Sequence, residues 1–318
     1  MAVQIMAVPT RFGKESQVMP ASPRRAGWLK QLARAFRQYP RLWFAVVLLL
    51  FILAAIFAPF VSPYSPLAYH PSIATQGPSL AHPLGTDDLG RDQLSRVIYG
   101  TRISLSVGIV TILLGGICGT ILGLVAAYFK GWVDQLITMI VDAILSFPSI
   151  VLALAIVAAL GPSIINLSIA LAFVRIPIYS RIARGQTLQV ATHDYVTAAV
   201  SSGTRTAKIL WRHILPNIFS PLLVQATISI SFAILDESVL SFLGLGVQPP
   251  TPEWGEMINA AQVYLNSDPW MMVGPALAIV LIVLSLNLLG DAVRDILDPR
   301  DQARVIAPMI DPQPVGDK

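Results

Sequence analysis

The sequence predicts an all-α polytopic membrane protein, and three observations carry that prediction. Of its 318 residues, 54% are hydrophobic and only 13% charged, about half the ~25% charged share of soluble domains. Mean hydropathy is +0.66, so too few charges are present to cover a water-soluble globule of this length. Several near-uncharged runs reach the ~20 residues that a helix needs to cross the hydrocarbon core. The short alternating strands of a membrane barrel are not in view. Net charge is +4. Its placement serves topology rather than nucleic acid, so no nucleic-acid partner is expected, and membrane lipid is the surrounding partner.

Residues 1–41 read as a proline-rich, basic arm carrying Arg11, Lys14, Arg24, Arg25, Lys30, Arg34, Arg37 and Arg41. Within it, Trp28 to Tyr39 could lie on the membrane surface as an amphipathic helix. Residues 42–61 form the first span. The polar stretch before it is too long for a signal peptide, and Pro59 follows the small residue Ala58, so the span is retained. Residues 62–100 are a proline- and glycine-rich connection. The core, 101–291, holds five further spans: Ile103 to Phe129, Leu136 to Leu160, Ile164 to Ile182, Asn217 to Leu243 and Trp270 to Leu289. Residues 292–318 form a charged tail.

Lysine and arginine placement orients the bundle. The arm, Lys130, the segment with Arg184, Arg205, Lys208 and Arg212, and the tail with Arg294, Arg300, Arg304 and Lys318 fall on one side. The connection from Gly244 to Pro269 carries Glu253, Glu256 and Asp268 and no basic residue. Both termini are therefore expected in the cytoplasm, and residues 62–100 outside it.

Gly115, Gly119 and Gly123 recur every fourth residue in the second span. Such a face lets another backbone approach closely, either within the chain or from another subunit. Cys118 is the one cysteine and reads as a packed thiol. His70, His82, His193 and His213 are scattered without metal-ligand spacing. Asp142, Asp236 and Glu237 sit inside spans, where a charge is costly and usually faces a cavity or partner. For Asp236 and Glu237 a structural hydrogen-bonding role and a place on a translocation path both remain open. Arg175, Arg181 and Arg184 could snorkel from the fourth span.

The most informative segment is the polar interruption 185–216. It reads as a helix, a break at Gly203 and a second short helix. Asp194 is placed to cap the first helix. Ala198 and Ala199 offer a small packable face, and Ile209 and Leu210 offer apolar anchors for a partner. Pro216 is expected to push Leu215 out of helical conformation. The chain lacks a G-x-x-x-x-G-K-[ST] loop, a nucleophile elbow and a metal motif. The chain is not expected to bind ATP by that route or to be an enzyme.

Thr197-Ala198-Ala199, Gly203 and Leu215-Pro216 keep the spacing of the coupling loop of ABC-importer permeases, E-A-A, three residues, G, nine residues, I, any residue, L-P. Thr197 replaces the acidic residue, and His213 replaces the isoleucine. The segment from His82 through Gly85, Thr86, Asp87, Gly90, Arg91 and Asp92 resembles the extracytoplasmic signature of the C-type permeases of dipeptide and oligopeptide importers. Ser241 to Gly255 and Asn287 to Arg300 resemble their later signatures. The resemblance implies a type I ABC-importer permease fold in the bacterial inner membrane. It also implies a B-type permease partner, two cytoplasmic ATP-binding subunits that hold ATP and magnesium, and an extracytoplasmic substrate-binding protein. No cofactor is expected on this chain. Relatives carry nickel, glutathione, opines or antimicrobial peptides as well as peptides. From another class, an ion-driven secondary transporter would need paired repeats with broken helices, and no convincing repeat is visible.

Overall fold

The computed structural model describes residues 41–297. The arm before them and the tail after them lie outside the described residues. So do the expected surface helix at Trp28–Tyr39 and the charges Arg300, Arg304 and Lys318. Among the described residues every extended element is helical, and the only β feature is an isolated bridge between Thr86 and Asp92.

Helix α1, Arg41–Val61, is the first span and bends at Phe57, two residues before Pro59. Helix α2, Gln93–Phe129, begins well before the expected Ile103. Its polar first turns need no lipid exposure. The Asp92 side chain caps them by accepting from the Ser95 amide, and Gln93, Ser95 and Arg96 are buried. The expected third span is two helices, α3 (Gly131–Leu145) and α4 (Ser149–Leu160), bent by 89°. Pro148 causes the break, since it has no N–H to donate and disfavours helical geometry at Phe147.

Helix α5, Ile164–Val190, is capped at Ser163 and runs past the expected end at Ile182. After α6 (Asp194–Ser201) and α7 (Thr206–Ile209) comes a π turn, Leu210–Ile214, that feeds directly into α8, Leu215–Phe242. Short α9, Trp254–Ala261, packs against α8, and α10, Trp270–Leu297, is the last span. Five helical segments are long and apolar enough to cross a membrane, and six if the bent α3–α4 pair is one span.

The glycine seam holds the bundle's centre. A Cβ on Gly115 would lie 2.6 Å from the Ala172 carbonyl oxygen. One on Gly119 would strike the Ile176 carbonyl, and one on Gly123 the Ser180 carbonyl. Contacts advance in the same direction along both helices, so α2 and α5 run parallel with their backbones touching. The seam is internal packing and not a face for another subunit. It also turns Cys118 outward, so the thiol is exposed on the bundle surface instead of packed within it. Because α2 and α5 are parallel, the Lys130 turn after α2 and the segment after α5 lie at the same end.

Candidate functional site

At that end the chain builds an elbow. Asp194 does not cap α6: His193 holds the cap position, and Asp194 sits in the first turn, where its charge favours the positive helix end. The end of α6 is a Schellman closure. The Gly203 amide donates to the Val200 carbonyl at 3.0 Å and the Thr204 amide to the Ala199 carbonyl at 3.1 Å. Gly203 has φ +74, a left-handed conformation that side chains disfavour, and no other atom lies within 4 Å of where its Cβ would stand. Gly203 is thus required by the turn and leaves open space around it.

Val196, Ile209 and Ile214 are buried in one cluster with Tyr179, Val190 and Ile218, and Leu210 packs against it. The elbow is therefore rooted in this chain's own core. Ile209 and Leu210, expected as anchors for a partner, serve that rooting instead. On the opposite surface Thr197, Ala198 and Gly203 are exposed, as are Arg205, Lys208 and Arg212. Val200 and Trp211 are 53% and 62% exposed. Leu215 is helical (φ −53, ψ −44), contrary to expectation. Its amide donates to the Leu210 carbonyl five residues back, and this widened turn makes room for Pro216 without a break. His213 stacks near Tyr195, with ring centroids 6.4 Å apart, and Tyr195 lies 5.6 Å from His193. The Thr197 hydroxyl donates weakly to the His193 carbonyl at 3.4 Å. Both departures from the family pattern thus have partners inside the elbow.

At the other end residues 62–92, the start of α2 and α9 form one polar block. Gly85 and Gly90 both have positive φ, and a side chain at either would strike the Gln76 or His70 carbonyl. The Thr86 hydroxyl accepts from the Gln76 amide at 2.9 Å. Asp87 accepts from the Leu89 and Arg91 amides at 2.9 and 2.8 Å and pairs with the Arg91 side chain. Asp92 takes the Ser95 amide and the His82 ring nitrogen. Arg96, 1% exposed, reaches Asp87 at 3.5 Å and Glu256 at 3.2 Å. That last pair joins α2 to α9 across the sequence, and local spacing carried no signal for it. Replacing Arg96 with Met leaves Glu256 buried without its cation, and a loss of about 3–5 kcal/mol in unfolding free energy is expected. Adding Glu256→Gln should recover part of the loss, and full persistence of the deficit in the double variant would refute the pairing account.

Trp254 is completely buried. Its indole N–H donates to the Val97 carbonyl at 3.0 Å, and its ring covers Gly100, where a Cβ would collide with it. Trp270 is half exposed, as an interfacial residue would be. Glu253 caps α9 by accepting from the Gly255 and Glu256 amides at 2.7 and 2.8 Å, and like Glu237 of α8 it is fully buried. Burial pushes Glu253 above its ordinary value of 4.5, so the folded state holds a proton that the unfolded state releases. The resulting stability is complete below 4.5 and is lost as pH rises through the raised value. The thermal midpoint of the solubilised protein should fall as pH rises above 4.5, and Glu253→Gln should flatten that slope.

The three arginines expected to snorkel from α5 are each paired with a carboxylate. Arg175 binds Asp236, Arg181 binds Asp142 at 2.7 Å, and Arg184 binds Asp134 through two contacts of 2.6 Å. Pairing lowers the cost of charge at membrane depth. Asp236 and Glu237 have different surroundings: the first meets α5, and the second meets Ser238. Among the described residues no group of three or more His, Cys, Asp or Glu side chains stands together as a metal site.

Among the described residues, five helices long and apolar enough to cross a membrane, six spans with the bent α3–α4 pair, and a rooted, exposed elbow define a polytopic helical membrane protein. The chain belongs to the family of binding-protein-dependent transport system inner membrane components, whose model matches residues 119–301. A second model, the N-terminal transmembrane domain of oligopeptide transport permease C, matches residues 28–83. The chain is 45% identical over 270 residues to the dipeptide transport system permease protein DppC of Alkalihalophilus pseudofirmus, covering 84% of this chain and 89% of that one. It is 45% identical over 259 residues to the di/tripeptide transport system permease protein DppC of Pseudomonas aeruginosa, covering 80% and 86%. It is also 45% identical over 277 residues to the glutathione transport system permease protein GsiD of Escherichia coli, covering 87% and 91%. In three dimensions it resembles a chain of the inward-facing MetNI methionine ABC transporter, with a TM-score of 0.53 at 16% identity over 64% of this chain and 96% of that one. That last likeness concerns the fold. The chain is accordingly a multi-pass membrane subunit of an ABC importer that assembles with ATPase and other transporter subunits, and it is not itself an enzyme.

Proposed function

We propose that this chain is one of two permease subunits of an importer for peptides with free termini, di- or oligopeptides or glutathione, in the bacterial inner membrane. A B-type permease completes the path. Two ATPases that bind ATP and magnesium dock on the elbow through Thr197, Ala198, Ala199 and Gly203, with Leu215-Pro216 setting its junction to α8. A substrate-binding protein docks on the opposite end, where Gly85, Thr86, Asp87, Gly90, Arg91 and Asp92 order the surface it meets. Both termini are cytoplasmic in this arrangement.

The observation that carries the reading is the elbow's division of labour. Its apolar side chains are locked into the bundle, and its small, cationic surface with Val200 and Trp211 is left uncovered. A rigid lever with an unoccupied surface is what transmits motion from a partner. Closure of the ATPase pair would carry the elbow with it and rock the spans between inward- and outward-open states, the alternating-access scheme of such importers. Two measurements test this. Affinity purification of the full chain from membranes should bring down ATPase subunits, and cells lacking the chain should lose uptake of labelled Ala-Phe or glutathione. Purification without ATPases would overturn the reading. Glutathione uptake without Ala-Phe uptake would narrow the substrate to glutathione.

A further inference from the structure

Unlike the apolar cavity bounded by Ile112, Trp211 and Phe219, one cavity in the bundle has charged side chains in its wall. It has a volume of about 320 Å³ and opens between α3 and α5, with Asp142, Arg181, Arg184 and Thr138 on its wall. Asp134, which pairs with Arg184, stands one turn below Thr138 on α3. The two ion pairs differ in character. Arg184 grips Asp134 bidentately, a geometry that locks both side chains. Arg181 meets Asp142 through a single contact, and the two side chains are 60% and 53% exposed. A lone exposed pair is cheap to open.

These residues lie on helices that cross or enter the membrane. Asp142 is eleven residues beyond the start of α3, roughly 16 Å along it at ~1.5 Å per residue. Its partner Arg181 stands one residue before Ile182, at the inner end of the apolar run of α5, and charges on such helices face a water-filled path or another protein more often than lipid. The cavity wall carries the Asp142 carboxylate and the Arg181 and Arg184 guanidiniums, and Asp134, outside the wall, neutralises Arg184, so the signs are separated and balanced. That complements a zwitterion better than an anion or a cation.

We propose that the Asp142–Arg181 pair is a substrate-contact site on the translocation path, taking a zwitterionic peptide by exchange of ion pairs. Arg181 turns to the peptide carboxylate and Asp142 to its ammonium group, while Asp134–Arg184 stays closed as the frame. This rests on the importer reading above and assigns that path its peptide contacts.

The test uses the complete importer in proteoliposomes with the binding protein saturated by each probe: Ala-Phe, its C-terminal amide and its N-acetyl form. Arg181→Gln and Asp142→Asn should each lower Ala-Phe uptake by roughly 10- to 100-fold, the effect of losing one charge-assisted bond. ATPase co-purification should be unchanged. Arg181→Gln should also lose the wild-type preference for the free peptide over its amide, and Asp142→Asn the preference over the N-acetyl form. Wild-type uptake by both variants overturns the proposal. So does full recovery in the Asp142→Arg, Arg181→Asp exchange, which would mark a bridge serving the fold alone. If either variant fails to accumulate, Asp142→Glu and Arg181→Lys replace it, and an unchanged half-saturation constant overturns the proposal equally. Failure of the wild-type complex to import Ala-Phe or glutathione would instead sink the importer reading, and this site with it.

Discussion

Gly119→Leu is expected to eliminate folded protein from the membrane. The Cβ it adds would enter the Ile176 carbonyl and approach the Tyr179 Cβ at 2.7 Å. The obstruction is mainly backbone, so no rotamer change relieves it, and α2 and α5 must separate along the seam. Overpacking typically costs ~1–3 kcal/mol and occasionally more, and a backbone collision between the two central helices belongs at or beyond the upper end. Membrane abundance by quantitative immunoblot and the thermal midpoint of solubilised protein report the effect. Gly185→Ala is the control. It stands in the same α5, with nothing within 4 Å of the added atom, and should be neutral or stabilise by about 0.5–1 kcal/mol, the usual gain from removing a helix glycine. Equal loss in both variants would contradict the seam as drawn.

Gly203→Val should leave the protein in the membrane yet uncouple it. A β-branched residue is strained at φ +74 by about 1–3 kcal/mol, and the Schellman closure of α6 would shift to relieve it. Because the surrounding space is empty, the fold survives, and the loss falls on the geometry of the exposed surface. If docking is what this surface does, uptake should drop by roughly 5- to 150-fold, the range of a site-to-site coupling of ~1–3 kcal/mol. ATP hydrolysis by the purified complex should persist and cease to respond to loaded binding protein. Gly203→Asn, a residue that tolerates the left-handed conformation, should keep more of the coupled activity than Val. Equal uptake from Gly203→Val and wild type would mean that the elbow does not carry the stroke.

Much of the architecture was legible because membrane helices leave strong signals. Span number, the small-residue seam and the polar interruption each follow from local composition. The errors have common causes. The beginning of α2 lies outside the apolar run because hydropathy marks where lipid is, while capping by Asp92 and burial of Arg96 extend the helix beyond it. The third span was read as straight because Pro148 sits in an otherwise continuous apolar run. Cys118 is exposed where a packed thiol is expected because helix rotation is set by neighbours: the glycine seam turns it outward.

Sequence alone determined the class of protein and the spacing of the elbow, since each depends on residues close together in the chain. Tertiary structure decided which charges are neutralised and by whom. Arg96 with Glu256, Arg175 with Asp236 and Arg181 with Asp142 are joined across 160, 61 and 39 residues. Coulomb attraction acts through space, so only the packed bundle, with its parallel α2 and α5 and the bend at Pro148, could bring those partners within reach.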